Sequence, residues 1–251
     1  MTSQALPRRV AAELVGTAFL VAAVVGSGVA AQRLSPGDAG LQLLQNAVAT
    51  GAALVALILA LQPVSAAFNP IITLVERAFG TISSRAAAAL VAGQITGGVV
   101  GVILANLMFT LPPVMVASTA RGGSGQWLAE GVATAGLVLI VFGAARTGRP
   151  DRVAYAVGGY ITAAYWFTSS TSFANPAVTT ARMLSDTFTG IQPASVPGFL
   201  AAQLAGGAVG YLLARNLFPA REGRRLGGAT TSDDPARLPA IPTTQSRRPR
   251  G

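Results

Sequence analysis

Apolar residues run along this chain in long blocks, separated by short polar or Gly/Pro-rich interruptions. Six blocks can be read, at 10–31, 41–61, 85–107, 127–145, 153–168 and 196–218. A helix needs about 20 apolar residues to cross a bilayer, and most of the blocks approach that length. The block at 153–168 is short. The first block lacks a convincing small-residue cleavage site and has a counterpart later in the chain, so it reads as a retained helix and not a signal peptide. Two further segments, 63–80 and 169–190, are moderately apolar and each too short to cross alone. Both contain an Asn-Pro dipeptide that opens a short helical pattern, Asn69-Pro70 in one and Asn175-Pro176 in the other. They suit re-entrant half-helices that meet near the midplane from opposite sides, a backbone geometry tolerated only where it lines a cavity.

The pattern is stated twice, at a spacing of just over a hundred residues. Phe68-Asn69-Pro70-Ile71-Ile72-Thr73 is matched by Ala174-Asn175-Pro176-Ala177-Val178-Thr179. Leu-Val-Gly-Thr-Ala follows Glu13, and Gly-Val-Ala-Thr-Ala follows Glu130. Gln94-x-x-Gly97-Gly98-x-x-Gly101 recurs as Gln203-x-x-Gly206-Gly207-x-x-Gly210. Internal repeats of apolar segments build many membrane transport folds, with the site at the repeat interface. Three spans per half oblige the second copy to enter from the opposite face, so the repeat is inverted. The expected organisation is a short lead at 1–7 and a channel domain at 8–218. That domain divides into a first repeat at 8–107, a connector at 108–125 and a second repeat at 126–218. Residues 219–251, rich in Gly, Pro, Thr and Arg, read as a disordered cytoplasmic tail.

Composition agrees. Apolar residues make up 51% of the chain and charged residues 11%, with a mean hydropathy of +0.54; a soluble domain carries about 25% charged residues. The net charge of +9 invites a nucleic-acid reading. Its placement argues against one, because Arg8, Arg9, Arg146, Arg149, Arg152, Arg215, Arg221, Arg224 and Arg225 fall on one side of a six-span layout, against Arg33 and Arg121, with Arg182 at most, on the other. By the positive-inside rule both termini are cytoplasmic. The chain has no Cys and no His, which disfavours disulfides, a tight transition-metal site and His-based catalysis. No nucleophile–base pair is legible, so an enzyme is the least supported class and no cofactor is expected.

At each Asn-Pro, proline suits the first turn of a helix, where its missing N–H costs nothing. The preceding Asn can cap free backbone N–H groups and leave its amide to donate into a lumen. Two facing half-helix N-termini place positive dipole ends at the centre, a barrier to cations and hopping protons for which aquaporins are the known case.

Paired Asn-Pro-Ala-type motifs, Ala-Glu in the first and fourth spans and Gln-x-x-Gly-Gly in the third and sixth resemble the major intrinsic proteins, the aquaporin and aquaglyceroporin family. The resemblance covers about 8–218. It implies an all-α membrane fold of six transmembrane helices plus two re-entrant half-helices, one right-handed bundle with one pore per protomer, and a homotetramer. It also implies a central constriction at Asn69, Pro70, Ile71, Asn175, Pro176 and Ala177, where Ile71 in place of Ala adds bulk. Glu13 and Glu130 are buried carboxylates, which inside a membrane could relay protons. The resemblance implies instead that they accept backbone N–H bonds from the re-entrant loops.

Where most relatives carry an Arg directly after the second motif, this chain has Val178. That removes a fixed cation, several donors and steric bulk. By spacing, the rest of the filter falls on Thr50, on Tyr165 (or Trp166 if the gap is placed differently) and on Ser172. Such a ring resembles those of members that pass glycerol-sized solutes or metalloid hydroxides such as arsenious acid. The stretch 168–173 resembles the arsenite-permeable bacterial branch. Arg182, one helical turn after Val178, either swings into the outer mouth or pairs with Asp186 or a neighbouring loop, the structural pairing being the favoured reading. The partners are then the lipid bilayer and small neutral solutes, and the location is the inner membrane. A water-selective pore completed by Arg182, a coupled secondary transporter and an occluded structural protein are the competing readings.

Overall fold

The computed structural model describes residues 4–219. The start of the expected 1–7 lead, and all of the expected 219–251 tail except Pro219, lie outside the described residues. Helix α1 (Leu6–Leu34) begins within that lead, with Pro7 in its first turn. The other long helices are α2 (Ala39–Leu61), α4 (Ser84–Met108), α5 (Ser124–Arg146) and α8 (Val196–Leu217). Asp38 starts α2 by accepting the Leu41 N–H at 2.8 Å, and Ser83 starts α4 by accepting from Ala86 at 3.2 Å. These five are long and apolar enough to cross a membrane. The sixth, α6 (Val153–Phe167), has 15 residues and follows a 3-10 turn at Pro150–Arg152. It lies in the bundle against α2 and α5.

Two half-helices complete the set. Asn69 caps α3 (Pro70–Ala78, 9 residues) and Asn175 caps α7 (Pro176–Ala181, 6 residues), which passes directly into a 3-10 turn at Arg182–Leu184. The described residues form no strand.

Long-helix packing follows the repeat. α1 packs on α4, and α5 packs on α8. Both contacts are glycine-mediated. A Cβ on Gly97 would stand 2.2 Å from the Leu14 carbonyl oxygen, and one on Gly206 would stand 2.3 Å from that of Gly131. Only a bare Cα lets these backbones approach so closely. α3 and α7 then dock in the interior, α7 against α4 and α8, α3 against the same two helices. One apolar core, including Val21, Leu54, Val102, Val138 and Tyr165, joins the two halves.

Candidate functional site

Each half-helix is held from behind by a buried carboxylate. Glu13 accepts the Ser65 hydroxyl at 2.5 Å and the Ala67 N–H at 2.9 Å on one oxygen. Its other oxygen accepts the Phe68 N–H at 2.7 Å and the Gln94 amide at 2.8 Å. Glu130 does the same in the second half, accepting from Phe173 at 2.8 Å, Ala174 at 2.8 Å and Gln203 at 2.7 Å. Gln94 and Gln203 also donate to Thr73 and Thr179, each at 2.9 Å. Hydrogen bonds to a buried carboxylate offset its desolvation, and here every donor belongs to the scaffold. Neither glutamate lines the cavity between the half-helices.

The two asparagines meet across the midline. Asn69 Nδ2 donates to the Ala174 carbonyl and Asn175 Nδ2 to the Phe68 carbonyl, both at 2.8 Å. Their Oδ1 atoms cap the helices, Asn69 accepting from Ile71 at 2.9 Å and Asn175 from Ala177 at 3.0 Å. Presenting those carbonyls requires left-handed backbone at two non-glycine residues, Phe68 (φ 47°) and Ala174 (φ 46°). Such conformations cost on the order of 1–3 kcal/mol each and persist when their surroundings fix them. Here the glutamate bonds supply that constraint. Each amide has a second N–H, which is left for the lumen.

A cavity of about 80 Å³ lies between the half-helices and their flanking spans. Liquid water occupies roughly 30 Å³ per molecule, so a short file of waters fits. Asn69, Asn175, Thr50, Tyr165, Ser172 and Val178 all line it. Thr50 Oγ1 and Tyr165 Oη lie 3.2 Å apart, closing one side of the ring. Tyr165, not Trp166, is the lumen residue; Trp166 is 51% exposed on the outside of the bundle. Ser172 lines the cavity, and its hydroxyl is buried with no hydrogen-bond partner among the described residues.

Two expectations are corrected. Ile71 does not add bulk to the constriction. Its side chain turns toward α8, where its Cγ2 would stand 2.6 Å from a Cβ on Gly207. Pro70, Pro176 and Ala177 are likewise outside the lining, and Ala177 instead packs against Gly98. The reason is helical register: the third residue after each Asn, not the second, faces the lumen. Ile72 is therefore the lining residue of the first half, as Val178 is of the second. Of the structural pairings open to Arg182, the structure makes the one with a neighbouring loop and not the one with Asp186. Arg182 is only 2% exposed and lines the cavity, and its Nε donates to the Thr189 carbonyl. Its guanidinium carbon sits 3.4 Å from the centre of the Phe173 ring. Asp186 is held elsewhere by Ser118, whose N–H and hydroxyl both donate at 2.9 Å. Those bonds keep its carboxyl below the ordinary aspartate range.

Sequence reasoning passed over Ile72, Phe173 and Arg121. The first could have been found from the matched spacing after each Asn. Phe173 and Arg121 carry no local signal, because their contact is made only when the connector folds over the second half-helix.

Comparison with known proteins places this architecture. The model of the major intrinsic protein family matches residues 1–154. Aquaglyceroporin AqpS of Rhizobium meliloti (strain 1021) is 50% identical over 218 residues, which is 86% of this chain and 93% of that protein. The X-ray structure of the aquaglyceroporin from Plasmodium falciparum superposes with a TM-score of 0.65 over 86% of this chain and 96% of that one. Its sequence is 16% identical, so it speaks to the fold alone. The chain belongs to the major intrinsic protein family. It is a multi-pass membrane channel for small neutral solutes with the aquaporin fold, and not an enzyme.

Proposed function

We propose that the channel passes glycerol-like polyols and metalloid hydroxides such as arsenious acid, together with water. The observation that carries this reading is Val178, an aliphatic residue in the cavity wall where most relatives carry Arg. With Thr50, Tyr165 and Ser172 it makes a ring of one aromatic, two hydroxyls and one apolar face. A polyol has matching needs: hydroxyls to satisfy along one side and a carbon edge to lay against the other. Asn69 and Asn175 supply the next donors inward, and the facing half-helix N-termini oppose protons and cations. The name of the relative from Rhizobium meliloti supports the glycerol assignment. The same reading places both termini in the cytoplasm, the channel in the inner membrane and four copies in a tetramer. We assign residues 8–218 to the channel domain, with its repeats at 8–107 and 126–218.

The test is stopped-flow light scattering on proteoliposomes with water, glycerol and arsenious acid. Val178→Arg is expected to reduce glycerol and arsenious acid flux sharply while sparing water. Equal solute flux in variant and parent removes Val178 from the filter. A second reading has its own observation: Arg182 reaches the same cavity and could restrict it to water. Fast water flux with both solutes excluded by the parent would select that reading.

A further inference from the structure

The connector between the repeats brings a second guanidinium to the outer mouth. Residues 115–119 run alongside the segment that follows α7. Met115 and Ala117 donate to the carbonyls of Leu184 and Met183, and Gln192 donates back to Thr119. This places Arg121 over the loop at 187–190. Its Nε donates to the Gly190 carbonyl at 2.8 Å and its Nη2 to the Phe188 carbonyl at 3.2 Å, while its backbone N–H donates to Ser195 Oγ at 3.0 Å. The carbonyl between those two, that of Thr189, is the one that receives Arg182. Three successive carbonyls are thus engaged by two guanidinia. The Phe173 ring joins the pair, with the Arg121 guanidinium carbon 5.2 Å from its centre and that of Arg182 at 3.4 Å.

The Arg182 side chain has no other hydrogen bond among the described residues, so the place of its guanidinium in the cavity wall depends on that one carbonyl and on the ring. A long cationic side chain held at one donor swings freely once its acceptor moves. Arg121 holds the carbonyls on either side of Thr189, while the Phe188 N–H donates to Gln32 at 2.9 Å and the Gly190 N–H to the Thr187 carbonyl at 2.8 Å. The loop is also tight, since a Cβ on Gly190 would stand 2.6 Å from the Ser185 carbonyl oxygen.

We propose that Arg121 is a positioning residue for solute selection: by clamping the Phe188 and Gly190 carbonyls it holds Arg182 in the wall of the cavity that Thr50 and Tyr165 also line, and so sets the upper size of polyol admitted. This rests on the channel reading above but not on which solute is physiological. Arg121 does not line the cavity, so its effect passes through Arg182.

The experiment uses the full chain in proteoliposomes, with glycerol and the four-carbon polyol erythritol as probes. Arg121→Gln is expected to raise the erythritol-to-glycerol permeability ratio several-fold, and Arg182→Gln to do the same. The double variant should add nothing beyond Arg182→Gln, because one acts through the other. Arg121→Lys, a point charge lacking the two-pronged donor set, should recover only part of the parent ratio. Gly190→Ala displaces the loop from the Ser185 carbonyl while keeping both arginine side chains, and should reproduce the shift if Arg121→Gln fails to fold. An unchanged ratio in Arg121→Gln or Gly190→Ala overturns the proposal, as does an Arg121→Gln effect that survives in the Arg182→Gln background. If the parent excludes glycerol, the wide-filter reading fails on its own, and Arg121→Gln must then admit glycerol for the proposal to stand.

Discussion

Asn69 and Asn175 sit in frames that share most of their bonds, yet the two frames open onto unlike surroundings. Behind each is a buried glutamate taking two successive backbone N–H groups and one glutamine amide, and in front of each is a carbonyl from the other half. Seven residues beyond Asn175 stands Arg182, in the lumen wall. Seven residues beyond Asn69 stands Glu76, which does not line the cavity. The scaffold is needed twice, because each half-helix must be brought to the midplane with its loop donors satisfied. Arg182 and Phe173 belong to the second half alone, and Arg121 comes to them from the connector.

The frames can be broken in parallel, and this should produce the largest effects. Glu13→Leu strands two backbone N–H groups, a hydroxyl and a glutamine amide; Glu130→Leu strands two N–H groups and an amide. Each buried orphan costs roughly 1–3 kcal/mol, so both variants should lose several kcal/mol of stability. Thermal unfolding in detergent should show a comparable drop for the two, slightly larger for Glu13. A normal midpoint in either would mean that the matching geometry is not a matching function.

A smaller effect separates scaffold from lumen. Ile71→Ala removes packing against Gly207, with an expected loss of about 2 kcal/mol, toward the low end for such truncations because neighbouring side chains can settle into the space. Water and glycerol permeability should not change, since Ile71 does not line the cavity. Ile72→Ala is its counterpart on the lumen side and should alter permeability instead. Faster flux through Ile71→Ala would restore that residue to the constriction.

These contrasts mark how far the sequence could be read. Periodicity and repetition were enough for the long helices, the two half-helices, the inverted halves and the pairing of Glu13 with Glu130, because each depends on residues close together or on a pattern stated twice. The lining residues Thr50, Tyr165, Ser172 and Val178 were within reach by spacing. What spacing could not supply was rotation about a helix axis. One residue of register decides whether Ile71 or Ile72 meets the lumen, and only packing against Gly207 fixes it. The left-handed turns at Phe68 and Ala174 were also hidden, since neither residue favours that backbone. Between the two structural partners open to Arg182, spacing could not choose the neighbouring loop over Asp186. An acidic residue four positions on is a good partner within a helix, but α7 ends at Ala181 and Asp186 lies beyond the following 3-10 turn.

That separation can be tested through the smallest effect. Asp186 is exposed and bound to Ser118, so Asp186→Asn keeps an acceptor oxygen for both donors and leaves Arg182 untouched. Its carboxyl titrates below its ordinary range in the fold, so it stabilises the native state above the unfolded pKa and loses that contribution as pH falls through the folded value. The variant should therefore lack a small part of the acid-side decline in thermal midpoint, and match the parent in glycerol and erythritol flux at neutral pH. A changed polyol ratio would mean that Asp186 does act on Arg182 through the loop at 187–190. The clamp described for Arg121 would then have to be shared with the connector contact at Ser118.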